Sequence, residues 1–232
     1  MTNYPQRIND ITDLLVPCRI LADIGCDHAY VCIKAVKEGK AQTAFACDVH
    51  KGPLTRAKEN IENAGLSSKI TSVLSDGFHS LDASLDAASI CGMGGLLIRD
   101  ILSACPEKLG SVRQMILGPH SEVPELRKYI QEESGFDIQA EKLVFEQEKF
   151  YVLMDVRKKT DPCSRPWSPA EYIAGRPSLQ MDKACYRTYL GSLIKKTQQT
   201  LDKIGCNSPS ALHRKEELMR ELSALRKTYE HL

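Results

Sequence analysis

No stretch of this chain approaches the roughly 18 consecutive apolar residues that a membrane-crossing helix requires. Association with a bilayer through such a span is therefore not expected. There is no internal repeat and no low-complexity tract, which argues against solenoid or disordered architectures. Nine cysteines, at positions 18, 26, 32, 47, 91, 105, 163, 185 and 206, include no C-x-x-C pair. Their odd count and irregular spacing speak against a disulfide framework or a zinc site, so they read as reduced, mostly buried thiols, and no metal is expected. A G-x-S-x-G elbow is missing as well, which removes the serine-nucleophile hydrolases. The first sixteen residues carry Asp10 and Asp13 and lack the basic and then apolar regions of a signal peptide, so a cytoplasmic protein is expected.

What the chain does have is the composition of a globular protein, 42% hydrophobic and 26% charged, with 232 residues. That length accommodates one full core domain and an appendage. The net charge of +1 conceals an asymmetry. From Met181 onward there are ten Lys/Arg against six Asp/Glu, and before it 21 against 24. A basic appendage on an acidic body suits a polyanionic partner, although exposed helical cations are also the ordinary solvated face.

The organising stretch is Leu21-Ala22-Asp23-Ile24-Gly25-Cys26-Asp27-His28-Ala29-Tyr30. Apolar residues run into an acid and a glycine before an amphipathic segment begins, which predicts a strand turning into a helix. In a dinucleotide-binding loop a second glycine lets the backbone approach a pyrophosphate, yet Asp27 stands there. A phosphate bridge would be repelled. S-adenosyl-L-methionine, with a sulfonium and an ammonium against one carboxylate, suits such a loop better.

The rest of the chain alternates. A leading helix over Pro5–Leu15 precedes strands at 20–24, 43–47, 70–74, 87–91 and 113–117, with helices at 29–37, at 53–63, after Gly95 through Ala104, and at 123–133 between and after them. Short connections between alternating strands and helices predict a parallel, doubly wound α/β sheet. Two further strands, 138–145 and 150–157, are too close for a helical crossover and predict an antiparallel hairpin. A parallel sheet with its last strand antiparallel is the Rossmann-like arrangement of class I methyltransferases. Beyond it, Leu190, Ile194, Thr197, Leu201 and Ile204, then Leu218, Leu222, Leu225, Tyr229 and Leu232, predict two antiparallel helices packed as a short coiled coil, broken at Gly205, Asn207 and Pro209. The division expected is residues 1–160 for the cofactor-binding domain and 161–232 for the helical one.

Candidate site residues gather at the strand ends, where ligands of open α/β sheets lie. Asp23 and Gly25 follow the first strand, Asp48 the second, Asp76 and Gly77 the third, and Gly92, Met93 and Gly94 the fourth. Asp48 stands where a carboxylate accepts both ribose hydroxyls, and Asp76 where one accepts the adenine amine, with Gly77 leaving room for the ring. Each acid alone also reads as an ordinary helix cap or turn residue. His28 is a candidate donor or base, or else a histidine satisfied at the first turn of a helix; His120 has similar standing, and His50 and His79 less.

The blocks Asp23-Ile24-Gly25-Cys26-Asp27-His28-Ala29, Ser75-Asp76-Gly77 and Cys91-Gly92-Met93-Gly94-Gly95, followed by the hairpin and two-helix tail, resemble the TrmK family of bacterial tRNA methyltransferases. The resemblance spans nearly the whole chain and implies methylation of N1 of adenosine 22 in the tRNA D arm, with S-adenosyl-L-methionine as donor. It places Asp23, Gly25, Asp27, Asp48, Asp76 and Gly77 in the cofactor cleft, Gly92 to Gly94 beside the transferred methyl, and Arg7 at a basic substrate-facing position. Asp27 and His28 are then expected to position the base or cofactor. One departure stands out: Gly118-Pro119-His120 replaces the Q-P-N usual in the family, which leaves His120 to take over a base contact. Two other readings stay open: methylation of another RNA base or a small molecule, and a cofactor-free interaction protein. A monomer or weak dimer is expected.

Overall fold

The computed structural model describes residues 4–160, 165–205 and 208–232. Cys163, Cys206, Asn207 and the residues just past the expected domain boundary at 160 lie outside that set. Helix α1 (Gln6–Leu14) leads into β1 (Cys18–Ile24), α2 (Tyr30–Lys37), β2 (Ala41–Asp48), α3 (Lys51–Asn63) and β3 (Ile70–Leu74). Next come β4 (Ala87–Gly94), α4 (Gly95–Ala104), β5 (Gln114–Ser121), α5 (Val123–Glu132), β6 (Phe136–Glu146) and β7 (Lys149–Lys158). Helices α6 (Pro169–Ala174), α7 (Lys183–Lys203) and α8 (Pro209–Glu230) complete the chain. Among the described residues no helix is long and apolar enough to cross a membrane.

The seven strands form one sheet in the order β3-β2-β1-β4-β5-β7-β6. The first five are parallel, and β7 enters antiparallel between β5 and β6. Strand order reverses at β1, so the chain leaves β1 on one side for β2 and returns on the other for β4. That crevice is where the Gly25 loop lies. The hairpin closes through Gln147 and Glu148, both at positive φ (50° and 60°), a two-residue turn whose twist matches the paired strands.

The parallel strands are short apolar runs because both faces are covered. One face packs Leu21, Ala44, Ile116 and Leu153 under α1, α2 and α3; the other packs Ile90, Met115, Leu117 and Met154 under α4, α5 and the C-terminal helices. Tyr186, Tyr189 and Leu190 of α7 and Leu225 of α8 belong to that second core. The tail is thus seated on the sheet. Its two helices run antiparallel, with Arg187 over the Tyr229 ring at 4.1 Å and Arg226 donating to Gln198 at 3.0 Å. Thr197, Leu218, Leu222 and Leu225 are buried as the helical spacing predicts. Ile204 and Leu232 fall beyond the helix ends, and Leu232 is exposed.

Strand β5 extends four residues past the predicted Leu117. Gly118-Pro119-His120 is therefore part of the strand, paired to Cys91 and Met93 of β4 through a register shift. Pairing with β7, however, runs only from Gln114↔Arg157 to Leu117↔Met154. Beyond that point Pro119 has no N–H to offer, and β5 and β7 part.

Candidate active site at the strand tips

A cavity of about 380 Å³ opens where β5 and β7 separate. Its floor is Asp23, Gly25 and Cys26 from the β1 loop with Cys91 and Gly92 from β4; its walls are Gly118 and His120 on one side, Tyr151, Val152 and Leu153 on the other. Asp27, His28 and Tyr30 close the α2 end. The N-terminal half of α1, with Pro5, Arg7 and Ile8, roofs it. Helix α1 is held there along its length: Gln114 Nε2 donates to the Leu14 carbonyl at 2.9 Å near one end, and Arg7 Nη1 donates to His120 Nε2 at 3.2 Å near the other. Lys142 adds an ion pair of 2.5 Å to the buried Asp10.

The loop after β1 takes its shape from backbone conformations that few residues accept. Gly25 has φ +76°, and Gly25 N–H and Cys26 N–H both donate to the Cys47 carbonyl at 2.9 Å. A Cβ at Gly25 would come within 2.7 Å of Met93 Cε, so the methionine lies across the loop. Asp27 and Ala29 are also left-handed, at φ 40° and 56°. Such conformations are uncommon outside glycine and collect at functional sites.

Asp23 is buried and accepts a hydrogen bond from the Ser89 hydroxyl. Burial raises its carboxyl to about 6, against the lowering effect of Ser89 and with the charge of Asp48 adding to the rise. Above that pH it is a desolvated carboxylate, a strong attractor for a cation. Burial, aided by Asp23's charge, also pushes the Cys26, Cys32 and Cys91 thiols up, so these cysteines are protonated and unreactive. Asp27 is exposed and pairs with Arg56 at 2.5 Å and His28 at 3.4 Å; His28 stacks on Tyr30 with centroids 5.0 Å apart.

The cavity thus brings together Asp23, Gly25, Asp27, His28, Gly92, Arg7 and His120 from the sequence expectations. Asp48, Asp76, Gly77, Met93 and Gly94 do not line it. Asp48 is buried at the tip of β2 and accepts the His50 N–H at 2.9 Å, the turn-residue role its type favours. Asp76 is exposed after β3. A Cβ on Gly77 would stand 2.9 Å from Ile101 Cγ2, and one on Gly94 would stand 2.8 Å from Glu122 Oε2. Close packing and a left-handed φ of +56° account for glycine at position 77, whereas Gly94 faces only the movable tip of Glu122. Tyr30, Cys91, Tyr151 and, just above the rim, Glu146 were not singled out from sequence. In strands, alternation tells which face a residue takes, not what stands opposite. Among the described residues no group of three or more His, Cys, Asp or Glu side chains gathers to hold a metal.

His120 is tied down at the mouth. A guanidinium can only donate, so its hydrogen bond from Arg7 makes His120 Nε2 the acceptor and puts the ring proton on Nδ1. Burial first, then the charges of Arg7 and Lys149, lower its pKa below the ordinary histidine value. The imidazole is neutral at physiological pH.

Comparison with known proteins follows the same lines. A family model described as TrmK: tRNA (adenine(22)-N(1))-methyltransferase matches residues 21–227. The tRNA (adenine(22)-N(1))-methyltransferase of Bacillus subtilis is 35% identical over 129 residues, which is 55% of this chain and 54% of that protein. By sequence the match spans about half the length of that relative. The crystal structure of the B. subtilis m1A22 tRNA methyltransferase TrmK superposes with a TM-score of 0.87 at 26% identity, covering 99% of this chain and 100% of that one. M. capricolum TrmK in complex with S-adenosyl-homocysteine superposes at 0.84 and 26% identity, covering 98% of both chains. With a family model running from the first strand into the last helix, this chain belongs to the TrmK family of tRNA (adenine(22)-N(1))-methyltransferases.

Proposed function

We propose that the protein methylates N1 of adenosine 22 in the D arm of tRNA, using S-adenosyl-L-methionine. The observation that carries this reading is the cavity itself: a desolvated carboxylate and a left-handed glycine loop at the sheet's switch point, joined to a mouth lined by Tyr151 and His120. The residues present fit the donor. Gly25 gives the loop its left-handed turn at the cavity floor, and the Asp23 carboxylate supplies the charge that a sulfonium and ammonium need. The bound donor supplies an electrophilic methyl group.

Adenine N1 already carries an in-plane lone pair, so no residue has to remove a proton before attack. The task left to the chain is alignment, which is worth several orders of magnitude in rate. Asp23 and the Gly25 loop fix one partner, and His28, Tyr30, Tyr151 and His120 confine the other. Asp27 holds Arg56 and His28 beside the entrance, which makes it a positioning residue. In folded tRNA the target nucleotide must be turned out of its stack to reach this depth. Residues 161–232 serve in this reading as the RNA-facing appendage to the catalytic module of residues 1–160, since Lys195, Lys196 and Lys203 of α7 are exposed cations. The enzyme works in the cytoplasm as a monomer or weak dimer, which sedimentation at micromolar concentration tests.

The direct experiment incubates purified protein with labelled donor and unmodified tRNA, then maps reverse-transcription stops. Label in tRNA with a stop at position 22 is expected. No label, alongside an active control enzyme, would overturn the reading. Gly118 favours one rival: lacking a side chain, it leaves the base contact to His120, and a stop elsewhere in the RNA would identify a different acceptor base.

A further inference from the structure

The roof of the cavity holds an arrangement that methyl transfer by itself does not call for. The Arg7 guanidinium lies over the Tyr151 ring at 4.2 Å from its centroid. Its Nε donates to Glu146 Oε2 at 2.7 Å, and its Nη1 donates to His120 Nε2 at 3.2 Å. His120 in turn stands edge-on to Tyr151, with centroids 5.4 Å apart. Glu146, Tyr151 and Lys149 share one face of the hairpin by strand pairing, so the carboxylate and the ring are fixed relative to each other. An aromatic face, a carboxylate and a neutral imidazole lone pair together form a socket for a flat cation that donates two hydrogen bonds.

We propose that Tyr151, Glu146 and His120 form a planar-cation subsite that receives the target adenine as methylation charges it, and that Arg7 occupies this subsite until the base displaces it. The inference rests on the adenine-N1 reading above. In the transfer the N1 lone pair forms the bond to the methyl carbon, and the carbon–sulfur pair stays on sulfur. The positive charge thereby moves from the sulfonium to the adenine ring. The product's N1–C6–N6 unit is an amidinium, flat and cationic, with two N–H groups on N6. It matches a guanidinium in flatness and charge, and it offers two N–H donors, both on N6, where Arg7 uses Nε and Nη1. One N6 hydrogen replaces Arg7 at Glu146 and the other replaces it at His120, while the ring takes the face of Tyr151.

Two consequences follow from the chemistry. The subsite binds the charged ring better than the neutral one, so it stabilises the transition state more than the bound substrate and acts on kcat. It also separates adenine from guanine, whose O6 is an acceptor and would face a carboxylate and a lone pair with no hydrogen to share.

The test uses the full chain saturated with S-adenosyl-homocysteine and titrates free nucleosides by calorimetry or ligand-observed NMR. At pH 7 the wild type should bind 1-methyladenosine, a cation, about tenfold more tightly than adenosine, the difference that roughly 1.4 kcal/mol of added cation–π and charge interaction produces. Tyr151→Leu and Glu146→Gln should each reduce that preference to about twofold or less, whereas Tyr151→Phe keeps the face and should keep the preference. Arg7→Ala removes the competitor and should tighten 1-methyladenosine binding. Equal binding of the two nucleosides by the wild type, or weaker binding after Arg7→Ala, would overturn the proposal. With tRNA as substrate, Tyr151→Leu should lower kcat about tenfold with the KM for tRNA unchanged; a rise in KM alone would count against it. S-adenosyl-homocysteine affinity reports the fold of each variant, and Glu146→Gln, nearly isosteric, stands if the leucine variant does not fold. A wild type that leaves tRNA position 22 unmethylated sinks the adenine-22 reading, while the nucleoside titration still decides the subsite.

Discussion

Arg127 donates from Nε to Glu141 Oε1 across 2.7 Å, and neither side chain is exposed to solvent. The same guanidinium donates from Nη1 to the Tyr172 and Ile173 carbonyls at 3.0 and 2.8 Å, in α6, while Gln180 donates to the other Glu141 oxygen. One buried pair thus ties α5 and β6 to α6 and to Gln180. Arg127→Met strands a carboxylate in the core and should cost about 3–5 kcal/mol in urea unfolding. The paired replacement Arg127→Met with Glu141→Leu should recover most of that loss, because removing both charges also removes their desolvation.

Asp23 gives the pH dependence. Its folded-state pKa, about 6, lies above the ordinary value of 3.8. The folded protein therefore holds the proton more tightly, and the stability this contributes is full below about pH 4 and lost as pH rises through 6. Asp23→Asn should stabilise the fold at pH 8 by at most about 3 kcal/mol, with no gain at pH 4. Cofactor binding moves the other way. Calorimetry should show wild-type affinity for S-adenosylmethionine falling between pH 7 and 5 as the carboxylate protonates, and Asp23→Asn weak at both.

Gly118 and Cys91 form a packed pair. A Cβ on Gly118 would stand 2.8 Å from Cys91 Sγ and 3.1 Å from Leu153 Cδ2. Gly118→Ala is expected to lose about 1–3 kcal/mol through overpacking. Adding Cys91→Ala should restore part of it, since the Cys91 Cβ and Leu153 Cδ2 contacts at 3.1 Å remain, a coupling that thermal or denaturant unfolding of the four proteins measures directly.

Gly25→Ala meets two obstacles, the Met93 methyl at 2.7 Å and a backbone at φ +76°. Met93→Ala removes the first but not the second, which costs about 1–2 kcal/mol for a residue with a Cβ. The double variant should therefore remain impaired in cofactor binding by calorimetry, with only part of the single variant's loss recovered.

The fold was legible because its signals are local. Third-strand limits at Ile70 and Leu74 and the hairpin between 138–145 and 150–157 follow from periodicity and turn chemistry over a few residues. Strand β5 was read too short because Gly118 and Pro119 are strand breakers by propensity, and only pairing with β4 through a bulge keeps them extended.

From its sequence alone the chain is marked as a class I methyltransferase sheet with an acid-and-glycine loop and a helical tail, since strand alternation and the Asp23–Ala29 block are written in neighbouring residues. What tertiary structure decided is the mouth of the site. Arg7 meets His120 across 113 positions and Glu146 across 139, and Tyr151 comes beneath it only because β7 is inserted next to β5 and then parts from it. Periodicity says which face a side chain takes; which distant residue it meets there depends on how the whole sheet closes.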